Sequence, residues 1–134
     1  MAENPMQSIV DWREFREFAA ADLTKSFVLS WALESETLMI DVDLYLTPEH
    51  PFYEKPRSSE NACIRPAVIE FPYCERIESG EMPADTGTGK IAGKLGHGRI
   101  EGLSRLAGGR YEIRGEFGVV VLDAERPILR LKRS

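Results

Sequence analysis

The sequence predicts a mainly β, antiparallel domain, a sandwich or partly closed barrel with one N-terminal amphipathic helix. Three observations predict it. Apolar and polar side chains alternate over residues 25–46, short apolar runs punctuated by glycine follow one another over residues 99–132, and one early stretch carries apolar residues at spacings of three and four.

The early stretch, residues 8–21, places Ile9, Trp12, Phe15, Phe18 and Ala19 on one side and Arg13, Glu14, Arg16 and Glu17 on the other, the pattern of an amphipathic helix. Ser8 or Asp11 is placed to cap its start. The three large aromatics are expected to seal one end or face of a β core rather than form a ligand box.

From residue 25 the period changes to two. Phe27, Leu29, Trp31 and Leu33 alternate with Val28, Ser30 and Ala32; then Leu38, Ile40, Val42, Leu44 and Leu46 alternate with Met39, Asp41, Asp43 and Tyr45, and residues 34–37 can turn between the two runs. A third strand is expected through Ala67, Ile69, Phe71 and Tyr73, confined to an edge or a bulge because Pro66 and Pro72 lack backbone donors. Residues 99–106, 110–117, 118–124 and 127–132 read as further strands, with 90–95 another candidate. No helical segment separates the later strands, which disfavours parallel pairing.

A chain of 134 residues can bury one core, so residues 1–134 are taken as a single domain. The start, MAENPMQSIV, has neither the basic region nor the apolar run of a secretory signal. The longest aliphatic run, residues 119–122, is far short of the roughly 20 residues a helix needs to span a bilayer, so no membrane association is expected. Cys63 and Cys74 are eleven positions apart and would face opposite sides of one regular strand. Two free, buried thiols suit a reducing compartment, and a cytoplasmic location follows as the expectation.

The net charge of −5 hides an asymmetry. Residues 1–85 hold 7 Lys or Arg against 17 Asp or Glu, whereas residues 86–134 hold 10 against 5. Acidic strands paired beside basic ones would offset these charges; a dipolar surface steering a charged partner is the alternative.

Short motifs point to no chemistry. Gly87-Thr88-Gly89-Lys90-Ile91-Ala92 fits the spacing of a dinucleotide fingerprint, but the polar, acidic stretch before it is no buried strand and the glycine-rich stretch after it is no helix. In Arg114-Gly115-Glu116-Phe117-Gly118-Val119-Val120, Glu116 stands where an RNA-binding strand needs a stacking aromatic, and the chain is acidic, so no nucleic-acid partner is expected. The two histidines, His50 and His97, form no metal-binding pair, and no nucleophile signature surrounds either cysteine, so neither a cofactor nor an enzymatic nucleophile is expected.

Two features remain as candidate binding surfaces. Asp41, Asp43 and Tyr45 fall on one face of a strand, the carboxylates about 7 Å apart along it, which suits either a plain solvent face or a polar site. The connection over residues 47–62 is long, stiffened by Pro48, Pro51 and Pro56, and carries Phe52 and Tyr53. Those two aromatics beside Asp41 and Asp43 would suit a protein with a basic surface, or a second copy of the chain in a homodimer. The competing reading is a small-ligand or hydrolytic site using Asp41, Asp43, Tyr45 or His97.

The strand run 26–46, the proline-bearing loop, Ala67-Val68-Ile69-Glu70-Phe71, the early helix and Tyr111-Glu112-Ile113-Arg114-Gly115 together resemble small bacterial β-rich proteins of the toxin-immunity type. The resemblance implies a non-enzymatic, protein-binding role and assigns no functional residue.

Overall fold

A computed structural model describes residues 8–56, 62–79, 92 and 94–132 of the chain. They build nine antiparallel strands in one sheet: β1 Ser8–Asp11, β2 Ala21–Glu34, β3 Thr37–Leu46, β4 Cys63–Phe71, β5 Arg76–Ser79, β6 Gly98–Leu106, β7 Arg110–Gly115, β8 Gly118–Asp123 and β9 Ile128–Leu131. The order is β5-β8-β7-β6-β2-β3-β4-β9, with β1 beside β6. The sheet is not closed into a barrel, since β5 and β9 end the order and do not pair with each other.

β6 joins the two sides. One edge pairs with β7; the other pairs with β2 at Gly98 and Arg99 and with β1 from Ser104 to Leu106. The β7–β8 hairpin crosses the start of β6 so closely that a Cβ on Gly115 would collide with the Arg99 carbonyl oxygen and the Phe117 ring. The sheet folds over, bringing Phe71 of β4 against Tyr111 of β7 with ring centroids 5.3 Å apart, and Trp31 of β2 against Phe117 at the same separation. The Trp31 indole N–H also donates to the Gly96 carbonyl at 2.7 Å.

The core follows the alternation in the sequence. Leu38, Ile40, Val42, Leu44 and Leu46 of β3 are each at most 1% exposed, and burying a side chain of this kind contributes about 1.5–3 kcal/mol. Ile69 and Phe71 of β4, Ile113 of β7 and Leu122 of β8 complete one cluster with them.

The N-terminal helix is not formed. Residues 8–11 pair with β6 as a strand, and two 3-10 turns, Trp12–Glu14 and Arg16–Phe18, follow, separated by extended Phe15 (φ −85°, ψ 128°). The spacing explains the error: Trp12, Phe15 and Phe18 recur at strict threes, the period of a 3-10 turn. All three aromatics are nevertheless buried, and Asp11 does cap, accepting from the Arg13 N–H at 3.2 Å. Among the described residues, the Trp12 indole nitrogen is the one buried side-chain polar atom without a hydrogen-bond partner.

β4 is not an edge strand, because β9 pairs outside it. The N–H and C=O of one residue in an extended strand point the same way, and the Pro66 carbonyl accepts from Lys132 at 2.9 Å. The donor that Pro66 lacks would therefore face the β9 side, where that short strand ends, and the β3 ladder loses nothing. β5 escaped the alternation argument because it is only four residues long, with Ile77 its one buried side chain. The candidate strand at 90–95 lies largely outside the described residues, as does the glycine-rich segment 87–92. No helix among the described residues is long and apolar enough to cross a membrane.

The charge asymmetry resolves into pairs across the chain: Lys132 with Asp41 (2.5 Å), Arg130 with Glu70 (2.9 Å) and Arg126 with Glu17 (2.7 Å). Basic C-terminal residues thus lie against acidic N-terminal ones.

β2 contains the main irregularity of the sheet. Asp22 pairs with Tyr45 and Phe27 with Asp43, so residues 23–26 stand opposite Leu44 alone. Side chains hold this bulge together: Asp22 accepts from the Thr24 N–H (2.9 Å) and hydroxyl (2.6 Å), and the fully buried Ser26 hydroxyl donates to the Asp22 carbonyl (2.8 Å) while accepting from the Tyr45 N–H (2.9 Å). Ser26→Ala strips the part-buried Tyr45 N–H of its partner and should destabilise the fold by about 1–3 kcal/mol. Urea denaturation should show a lower midpoint at unchanged m-value; an unchanged midpoint would mean that the hydroxyl does not hold the bulge.

Candidate functional site

Asp41, Asp43 and Tyr45 lie on the side of β3 turned away from the core, alternating with buried Ile40, Val42 and Leu44. Asp41 accepts from the Ser30 hydroxyl at 2.9 Å and pairs with Lys132, and the Lys132 hydrogen bond holds its carboxyl below the usual aspartate value. It is a fixed anion rather than a proton donor. The Lys25 ammonium sits 5.0 Å from the centre of the Tyr45 ring. Asp41 is thus charge-compensated, and His97 is exposed just before β6.

The connection after β3 is braced at its start. Thr47 donates to the Ala20 carbonyl through its N–H at 2.9 Å and its hydroxyl at 3.0 Å, after which the His50 N–H bonds to the Thr47 carbonyl and the Tyr53 N–H to the His50 carbonyl, both at 3.0 Å. The Phe52 N–H donates to the His50 Nδ1 at 3.0 Å, which requires that nitrogen unprotonated, and partial burial lowers the His50 pKa in the same direction. The far side is fixed by Glu54, whose N–H reaches the Cys63 sulfur at 3.5 Å and whose carboxylate pairs with Arg65.

This bracing treats the two aromatics differently. Tyr53 is half-buried and packs against the core, whereas Phe52 is 63% exposed and stacks at a tilt on His50 with centroids 5.9 Å apart. Together they line an open groove of about 700 Å³ with Pro51, Glu54, Arg65 and Lys132. The sequence leads one to expect Phe52 and Tyr53 beside an acidic patch; the structure sets them beside two ion pairs, Glu54–Arg65 and Asp41–Lys132, whose charges cancel. Lys132, at the end of β9, joins the groove to the Asp41 surface, a link no local sequence pattern carries.

Four exposed apolar residues also mark the outward side of this half of the sheet: Phe27 and Leu29 of β2, Ile64 of β4 and Ile128 of β9. Periodicity identified β2 and β3 but could not show which apolar residues would be left outside the core.

Cys63 and Cys74 are both free and buried, and burial pushes the Cys74 thiol up to about 11, so it is protonated at neutral pH. Glu116, at the β7–β8 turn, accepts the Arg99 N–H at 2.6 Å and so stabilises the hairpin crossing. No group of three potential metal ligands occurs among the described residues. No protein-family model matches the chain, and neither the curated proteins nor the solved structures contain a match.

The unequal burial of the aromatics is directly testable. Phe52→Ser should leave the melting temperature within about 1–2 °C of the parent, since exposed substitutions usually change stability by less than about 0.5 kcal/mol. Tyr53→Ser removes packing from the core and should lower it by several degrees. Equal losses from both variants would show Phe52 to be a structural anchor.

Proposed function

We propose that the chain is a non-enzymatic protein-interaction domain that presents Phe52 as its central contact. The observation supporting this reading is a large exposed aromatic on a loop fixed at both sides by hydrogen bonds and an ion pair. A preorganised loop lets the burial of Phe52 contribute to affinity with little further ordering on binding, and aromatics of this kind dominate interface energetics. The immunity-type resemblance supports the same class of function.

The neutral groove places affinity on apolar burial, so salt should weaken the complex only modestly. Asp43, on the outward side of β3, is the residue through which a basic partner surface would be steered. Self-association is the second reading, favoured by exposed Ile64 and Ile128 on neighbouring strands of the same side of the sheet.

A photoreactive phenylalanine analogue placed at Phe52, with the same analogue at exposed Val119 as control, tests this reading in cells of the source organism. Adducts to one protein from position 52 and not from position 119 are expected. A covalent dimer of the chain from position 52 would assign the surface to self-association. Absence of adducts at 52, or the same adducts from both positions, would contradict a contact centred on Phe52.

A further inference from the structure

A second cavity, of about 290 Å³, opens beneath the first 3-10 turn, between the β6–β7 turn and the β8–β9 connection. Phe15, Val10 and Ala124 form apolar walls, and Tyr111, Arg105 and Glu125 supply polar groups. Its size is near the lower end of small-molecule sites, which begin at roughly 300 Å³.

Tyr111 makes this a built cavity rather than a surface dent. Its ring is held between Phe15, with centroids 6.2 Å apart, and Phe71 at 5.3 Å, and the residue is only 4% exposed. No hydrogen-bond partner for its hydroxyl occurs among the described residues. The Trp12 nitrogen is the one fully buried side-chain polar atom lacking a partner, so the Tyr111 oxygen must reach the cavity. A nine-tenths buried phenol thus directs an unused donor and acceptor into a half-open space whose rim carries the exposed Arg105 and Glu125.

The charges lining that space are of two kinds. Some are already engaged: Arg126 makes a two-contact pair with Glu17, at 2.7 and 3.4 Å, and Glu14 accepts the Asp11 N–H at 3.4 Å. Arg105 and the Glu125 carboxylate form no ion pair among the described residues, with each other or with a third group. Arg105 lies opposite Tyr111 in the β6–β7 ladder, and Glu125 is positioned by its own N–H, which donates to the Pro72 carbonyl at 2.8 Å. Burial pushes the Tyr111 hydroxyl up, with Arg105 and Arg126 acting against that rise and Glu17 and Glu125 adding to it. A cation and an anion of the protein therefore stand near one phenol without neutralising each other.

We propose that this cavity binds a small zwitterion, a free α-amino acid with an apolar side chain. Its carboxylate would pair with the Arg105 guanidinium, its ammonium with Glu125, and the Tyr111 hydroxyl would bond to the carboxylate, while Phe15, Val10 and Ala124 receive the side chain. A simple anion would leave Glu125 opposing it, and a simple cation would leave Arg105 opposing it; a molecule carrying both charges satisfies both groups. Phe52 plays no part in this site, so the two proposals stand or fall separately.

The test is a titration of the isotopically labelled protein by two-dimensional amide NMR with leucine, methionine and valine, each beside its N-acetyl and its carboxamide derivative. Saturable shifts confined to residues near 105–111 and 124–126 are expected with the free amino acids. Each blocked derivative should bind at least about tenfold more weakly, as should Arg105→Gln and Glu125→Gln against the free amino acid, the loss expected for one charge-assisted contact. Tyr111→Phe keeps the ring between Phe15 and Phe71 and should weaken binding several-fold without lowering the melting temperature appreciably. Lack of saturable shifts at millimolar amino acid, blocked derivatives binding as well as free ones, or folded Arg105 and Glu125 variants binding as the parent does would each overturn the proposal.

Discussion

β6 makes hydrogen-bonded pairs along both of its edges, and the rest of the architecture depends on that double pairing. β7 covers one edge; β2 and β1 divide the other. The strands continuing through β2 to β9 and those continuing through β7 to β5 therefore have one strand in common. Folding the sheet about this strand brings Phe71 against Tyr111 and Trp31 against Phe117, and neither side alone would bury these rings. Gly115 is needed at the crossing because any side chain would meet the β6 backbone there.

The open edges and charge pairs determine which surfaces are available for recognition. β9 is short, and Arg130 on it and Lys132 just after it are engaged with Glu70 and Asp41, which anchors it to the sheet. With Asp41 of β3 compensated in this way, the group projecting at the groove is the aromatic ring of Phe52. The 3-10 segment serves the opposite end: Phe15 and Phe18 cover the core, and the same segment roofs the cavity into which Tyr111 projects. Structural cover and a candidate ligand site thus come from one stretch of chain.

Most of the sheet was legible from residues alone. The alternation of Leu38 to Leu46 leaves one arrangement with an apolar inner face, and residues 99–106, 110–117, 118–124 and 127–132 fall on β6, β7, β8 and β9 with small boundary shifts. The N-terminal segment was misread because threefold spacing of aromatics satisfies both an amphipathic helix and a pair of 3-10 turns, and pairing with β6 decided between them. The bulge at residues 23–26 was hidden because Ser26 acts through contacts with Asp22 and Tyr45 that the register creates. The sites were less legible still. Phe52 and Tyr53 could be named, but only tertiary packing separates the exposed ring from the anchored one. Arg105, Tyr111 and Glu125 meet through the fold, with no motif joining them.

Native-state hydrogen exchange tests the role of β6 most directly. If β6 couples the two sides of the sheet, the amides of β3, β6 and β7 should exchange only through global unfolding, at the free energy that denaturant melting reports, while those of β5 and β9 exchange through smaller openings. Amides of β3 and β4 exchanging at a distinctly lower free energy than those of β6 and β7, as a cooperative unit of their own, would contradict the account.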